Sequence, residues 1–278
     1  MPPTSARSII VWAGASVAVL GTFLVVAGHG WPGRPDRCTL SIPDGCFCER
    51  FDPSAVLAGA PGVRQPANTW FNLYALGTSL YVAVRLSRDR SARVDRNLIT
   101  SANPLADLYV FAVLLLGLGS MWFHASLEEW GGYIDGLSMY MFVGYLICYT
   151  AYRLSPSVAR FWVGYIALVT AAMITQICWK SDGAAVAVVS VLVAVYFLLE
   201  IGSWVASGTV MLGRPKTIAL WLTALGSISI AAAFWYLSRT GAALCDPDTL
   251  WQPHAVVWHP LAGVTAVLLY HYWREAPG

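Results

Sequence analysis

The chain has 278 residues, of which 57% are hydrophobic and only 12% charged, well below the roughly one-quarter charged content of a soluble globular domain. Seventeen Lys plus Arg against fifteen Asp plus Glu leave a net charge of +2 with no run of like charges, which excludes the basic footprint of a nucleic-acid binder. At about 20 apolar residues per crossing, this length holds about eight spans with short connections, so the composition describes one polytopic membrane protein whose partners are lipid or lipid-soluble.

In chain order, the first apolar run extends from Ser8 to Gly28. It exceeds the roughly 7 to 15 residues of a signal-peptide core and is expected to be a retained anchor helix within residues 1–29. A Cys-containing loop follows at 30–67. Seven further runs of near-spanning length make up a core over 68–278: Asn68 to Leu86, Leu105 to Leu127, Gly132 to Tyr152, Val158 to Cys178, Ala184 to Ser207, Thr217 to Leu237 and Pro253 to Trp273. No stretch has the period-two alternation of a transmembrane barrel, and backbone satisfaction in hydrocarbon then requires helices. The expected fold class is all-α integral membrane: a seven-transmembrane-helix bundle with one additional N-terminal hydrophobic helix.

If all eight runs span, the side holding the N-terminus bears Arg7, Arg88, Arg90, Arg93, Arg96, Arg153, Arg214, Lys216 and Arg274, and should be cytoplasmic. The opposite side has Arg34, Arg37, Arg50 and Arg64 in one long loop, plus Lys180 and Arg239. Cys38, Cys46, Cys48 and Cys245 fall in the first and last outward loops, Cys178 lies at an outward helix end, and Cys148 is mid-helix. An oxidising exterior permits disulfides among the outward thiols. A metal site is the other reading of Cys46 and Cys48, but their separation is C-x-C rather than C-x-x-C, which favours disulfides of unspecified pairing.

Ionisable groups in or beside hydrocarbon are costly and usually face a bundle interior. Ser120 and His124 stand four residues apart in Gly119-Ser120-Met121-Trp122-Phe123-His124, hence on one helical face. Asp135 opens the next run, and the short Glu128-Glu129-Trp130-Gly131-Gly132 connection should bring it to the depth of His124. The last run begins Trp251-Gln252-Pro253-His254-Ala255-Val256-Val257-Trp258-His259-Pro260, so both of its histidines also lie at the outward end. Three imidazoles from different helices suit a catalytic zinc with an open fourth position. A lone histidine near a helix end more often hydrogen-bonds a neighbouring group, and His29 and His271 take that reading. Glu200 reads either as a proton relay or, as favoured here, as a group near the cytoplasmic interface. Phe161-Trp162 and Phe234-Trp235-Tyr236 read as interfacial belts without a site.

Gly117-Leu118-Gly119-Ser120-Met121-Trp122-Phe123-His124-Ala125-Ser126-Leu127, followed by Ile134-Asp135-Gly136-Leu137-Ser138-Met139, resembles the signature of the alkaline ceramidases, a family within a superfamily of seven-helix membrane hydrolases and adiponectin/progestin-type receptors. Asn68-Thr69-Trp70-Phe71-Asn72-Leu73 resembles the start of that family's first core helix, and Trp258-His259 its last histidine; the resemblance covers roughly residues 46 to 273. It implies that His124, His254 and His259 ligate zinc, with Ser120 and Asp135 beside the activated water. Three features depart from the family pattern. The family's final histidines are spaced H-x-x-x-H, whereas His254 and His259 are five apart, about 140° off a common face of a regular helix; a π-bulge, or a first-turn position after Pro253, would restore convergence. The stretch matching the acidic calcium cluster of eukaryotic members reads Phe47-Cys48-Glu49-Arg50-Phe51, with Gln65 where an acid is expected, which makes calcium dependence doubtful. The first helix lies outside the seven-helix pattern.

The function expected from this resemblance is zinc-dependent hydrolysis of the amide bond of ceramide-like lipids drawn from the bilayer, releasing a fatty acid and a sphingoid-type amine. Asp135 would act as the base, and Ser120 would donate to the developing oxyanion or orient the water. Lipid-ester hydrolysis by the same superfamily chemistry, and a non-enzymatic heptahelical receptor or transporter, are the alternatives. A retinal protein is disfavoured because the only lysines, Lys180 and Lys216, are read in connections.

Overall fold

The computed structural model describes residues 3–40, 47–94, 97–101, 103–179, 184–207 and 214–276. Among them the chain is all-helical, with no β-strand beyond an isolated bridge between Pro35 and Glu128. In chain order come α1 (Pro3–His29), the short α2 (Arg37–Leu40), α3 (Pro53–Leu57) and α4 (Pro66–Phe71), then α5 (Tyr74–Ser91), α6 (Pro104–Ser126), α7 (Glu129–Leu154), α8 (Val158–Cys178), α9 (Ala184–Ser207) and α10 (Pro215–Leu237). A π-helical segment, His254–Trp258, runs directly into α11 (His259–Glu275).

Among the described residues six helices are long and apolar enough to cross a membrane: α1, α6, α7, α8, α9 and α10. The other two apolar runs are helical but interrupted. Asn68 to Leu86 breaks between α4 and α5 at Asn72 and Leu73, and Pro253 to Trp273 begins with the π segment. Lys216 lies within the first turn of α10, not in a connection, and its ammonium pairs with Glu275 at 2.8 Å; Lys180 is outside the described residues.

Local sequence accounts for several boundaries. Asn103 caps α6 by accepting from the N–H groups of Leu105 and Ala106, with Pro104 at the first position, where its missing N–H costs nothing. Ser157 caps α8 in the same way through Arg160. At the other end of α6, Leu127 has φ 54°, a left-handed conformation uncommon for a branched side chain, and it is retained while Leu127 is buried beside Val56 and Phe123.

Helices α6 and α7 form the centre, with most of their surface buried; α1, α8, α9 and α10 turn most of theirs outward. The outward faces bear Val17, Val163, Val191, Leu198, Leu222 and Ile230, while the largest buried side chains include Tyr109, Tyr140, Tyr145, Tyr149, Tyr270 and Tyr272. Apolar outside and polar-aromatic inside is the distribution expected when the surrounding medium is itself apolar, because tyrosine hydroxyls then need partners within the bundle. Tyr109, for example, donates to the Ala266 carbonyl at 2.6 Å.

Close approach of α6 to its neighbours depends on two glycines. A methyl group at Gly117 would sit 2.6 Å from the Asn72 carbonyl oxygen, and one at Gly119 would sit 2.7 Å from the Ser138 Cβ. The Gly-Leu-Gly-Ser motif thus lets α6 lie against the start of α5 on one side and against α7 on the other.

Candidate metal centre and its cavity

The last turn of α6 delivers His124, the π segment delivers His254, and the first residue of α11 is His259. Within the π segment the His259 N–H donates to the His254 carbonyl, a turn closed over five residues. Two side chains five apart then share a face, which resolves the spacing that a regular helix would separate. Pro260 supplies a sequence reason for the wide turn: it has no N–H to donate and its ring presses on the preceding turn.

The three histidines are buried, and one nitrogen from each lies within 4.8 Å of those of the other two. Ring centroids lie 5.2 Å apart for His124 and His254, 5.6 Å for His124 and His259, and 4.6 Å for His254 and His259. Both nitrogens of His254 and Nδ1 of His259 have no hydrogen-bond partner. Buried polar atoms are ordinarily paired, so unpartnered nitrogens on both His254 and His259, beside His124, are what a group able to hold a metal ion would present. The donor set fits zinc or another imidazole-preferring transition metal, and three protein ligands leave the fourth position open.

Ser120 and Asp135 stand beside this cluster. Both line a cavity of about 430 Å³ to which His254, His259 and Tyr74 also contribute. His124 stands behind, its Nδ1 2.7 Å from Gln65 Oε1. The Tyr74 ring stacks on His259 at 6.4 Å, and Asn72 Nδ2 lies 3.4 Å from His259 Nε2. Away from the histidines the cavity wall is apolar, with Phe142 and Val143 of α7, Val189 and Val193 of α9, and Ala224 and Ile228 of α10. Helices α9 and α10 both line it, yet their backbones make at most glancing approach; Phe197 and Trp204 reach Trp221 across the seam at 5.8 and 4.5 Å.

Two connections close the histidine end of the bundle. Cys48 and Cys245 form a disulfide, and the Arg50 N–H donates to the Pro247 carbonyl at 3.1 Å, tying the loop before α3 to the loop before the π segment. The Phe47 ring packs against His124 at 4.7 Å and His254 at 4.8 Å. The Glu49 carboxylate accepts from the Ala67 and Asn68 N–H groups at the start of α4, while burial pushes its carboxyl up from the ordinary range. Cys178 is exposed and unpaired, and Cys148 is buried and unpaired. Cys46 and the Cys38 side chain are outside the described residues.

The remaining candidates lie elsewhere. His29 Nδ1 bonds the Val25 carbonyl at 2.8 Å and His271 Nε2 the Tyr81 hydroxyl at 2.8 Å, both remote from the cluster. Glu200 is fully buried and paired with Arg153 at 2.7 Å, with Thr150, Ser203 and Tyr272 also bonding to it, so it is a member of an interior network. Trp235, read as part of a belt, instead lines the cavity and packs on Trp258 at 6.1 Å. Gln65, Phe47, Asn72 and Tyr74 border the cluster without having been assigned a role in the site from sequence. Gln65 and Phe47 drew attention only as departures from an acidic motif, and only the fold places them against imidazoles.

No protein-family model matches the chain, and no curated protein sequence matches it.

Proposed function

We propose that this protein is a zinc-dependent membrane hydrolase that cleaves the amide bond of ceramide-like lipids. The observation that carries the reading is the three-histidine cluster with orphaned nitrogens at the head of an apolar cavity, with Ser120 and Asp135 on the same wall. Zinc in such a site supplies Lewis acidity and a nucleophile at neutral pH. The protein's own groups do the rest. The Asp135 carboxylate takes the proton of the attacking water and returns it to the departing amine nitrogen, so that the amine leaves neutral. The Ser120 hydroxyl, one turn before His124, orients that carboxylate or donates to the acyl oxygen as charge develops on it. The apolar wall takes an acyl chain, and the seam between α9 and α10 is the lateral entrance that a bilayer substrate requires.

Orientation belongs to the same proposal. The disulfide-bearing loops and the histidine cluster lie at one end of the bundle, where an oxidising exterior favours Cys48–Cys245. Arg88, Arg90, Arg153 and Arg274 lie in the last turns of their helices at the other, which positive-inside bias assigns to the cytoplasm. The seven-helix core then comprises α4–α5, α6 to α10 and the π segment with α11, and α1 is the additional helix.

The test is elemental analysis of detergent-purified protein together with hydrolysis of a ceramide and of an ester analogue with the same acyl chain. About one zinc per chain, absent from His259→Ala, and amide turnover lost in His124→Ala with zinc retained but turnover lost in Asp135→Asn, is the expected result. Full turnover by zinc-free His124→Ala protein would sink the proposal. Ester cleavage without amide cleavage would move it to lipid-ester chemistry.

A further inference from the structure

The wall behind His124 is made by a segment that the proposed chemistry does not use. Gln65 grips His124 twice: its backbone N–H donates to the His124 carbonyl at 3.1 Å, and its side-chain oxygen lies 2.7 Å from Nδ1. The first bond satisfies one of the carbonyls left over at the end of α6. The second determines a tautomer. Gln65 Nε2 donates at 3.1 Å to the Glu49 backbone carbonyl, an atom that can only accept, so the amide is oriented with Oε1 toward the imidazole. That oxygen also only accepts. In the neutral ring Nδ1 must therefore hold the proton, and Nε2 is left with the lone pair.

The amide is itself held in place. Glu49 is fixed through its carboxylate to the Ala67 and Asn68 N–H groups at 2.6 and 2.8 Å, and its neighbours Cys48 and Arg50 are tied to Cys245 and Pro247. Phe47, on the same strap, presses its ring against His124 and His254. Gln65 is 1% exposed, so water does not compete for its hydrogen bonds.

We infer that Gln65 is a positioning residue for the metal: acting through His124, it fixes the tautomer that frees Nε2 to coordinate, and it does so from a wall clamped by the Cys48–Cys245 disulfide. This rests on the reading of the three histidines as a metal centre. Outer partners of metal-bound imidazoles typically govern affinity by about 10- to 100-fold.

The experiment measures zinc affinity by competition with a chromophoric chelator on full-length purified protein, alongside the melting temperature of the zinc-free form. Gln65→Leu should weaken zinc binding about 10- to 100-fold, and its zinc-free form, with His124 Nδ1 and the Glu49 carbonyl left unpaired, should melt below wild type. Gln65→Glu keeps an accepting oxygen for Nδ1 but sets a second acceptor against the Glu49 carbonyl, so it should recover most of the zinc affinity while its zinc-free form still melts below wild type. Should Gln65→Leu fail to fold, Gln65→Asn, whose shorter amide falls short of Nδ1, is read in its place. Wild-type affinity in Gln65→Leu overturns the inference. Equal loss in Gln65→Leu and Gln65→Glu also overturns it, because the effect then comes from the strap and not from the proton on His124. A wild-type protein that binds no zinc overturns the metal centre itself, and this role with it.

Discussion

The two ends of the bundle treat buried polarity in opposite ways. At the end bearing the last turns of α5, α7 and α11, buried carboxylates are answered by arginines: Asp89 by Arg274 through two bonds at 2.7 and 2.8 Å, Asp107 by Arg90 at 3.0 Å and Arg7 at 2.9 Å, and Glu200 by Arg153 at 2.7 Å. These pairs link α5 to α11, α1 and α5 to α6, and α7 to α9. At the other end, His254 is buried with neither nitrogen partnered and His259 has Nδ1 free. One end therefore gains architecture from its polar groups, while the other keeps them available for something from outside the chain. Unpaired buried groups are costly, and a site that retains them trades stability for a ligand.

That contrast can be broken by substitution. The largest loss of stability is expected at the paired end: Glu200→Ala strands Arg153 in the interior and should cost roughly 3–5 kcal/mol, while zinc binding is unchanged. Replacing both partners, as Glu200→Leu with Arg153→Met, should recover most of that loss in a denaturation series; if the double variant is as unstable as the single one, the pair is not the cause.

Next comes Gly117→Ala, where the new methyl meets the Asn72 carbonyl oxygen, a backbone atom that cannot swing away. Overpacking of this kind costs about 1–3 kcal/mol, and because Asn72 lies beside His259 the variant should also loosen zinc. A Gly117→Ala protein with unchanged melting and zinc content would show that α5 and α6 can move apart freely.

His254→Ala sharpens the comparison from the other side. Relief of two unpaired ring nitrogens, about 1–3 kcal/mol, offsets the packing lost with the ring, so zinc-free protein should melt within roughly 1 kcal/mol of wild type while zinc is lost entirely. A large destabilisation of zinc-free His254→Ala would mean that the histidine is a structural group. The smallest effect is expected for Arg50→Ala, whose ion pair with Asp248 is solvent-exposed on both sides; no change in melting temperature should be detectable.

Much of this was legible in the sequence. Run lengths of about 20 apolar residues bounded by Asn-Pro or Ser located most of the helices, since helix length and capping are local properties. The placement of His124 and Asp135 about a short Glu128–Gly132 connection forecast that they would lie at one depth. The five-residue spacing of His254 and His259 left two ways to share a face, a π-bulge or a first-turn position after Pro253, and the chain takes the π-turn. What remained hidden were contacts between distant segments. Nothing in the spacing of Gln65 and His124, fifty-nine residues apart, signals a 2.7 Å hydrogen bond. Likewise Glu200 lies in an apolar run whether it faces solvent at a helix end or Arg153 across the bundle.

The sequence by itself determined an all-helical chain, the six helices among the described residues that are long and apolar enough to cross a membrane, and the residue types of the candidate centre, because hydrophobic run length, caps and imidazole chemistry belong to the residues themselves. Only the tertiary structure decided which nitrogens are left unpartnered, which cysteines join, and which arginine answers each carboxylate. Those outcomes depend on which faces of distant helices meet, and burial turns each such meeting into either a satisfied pair or an open valence.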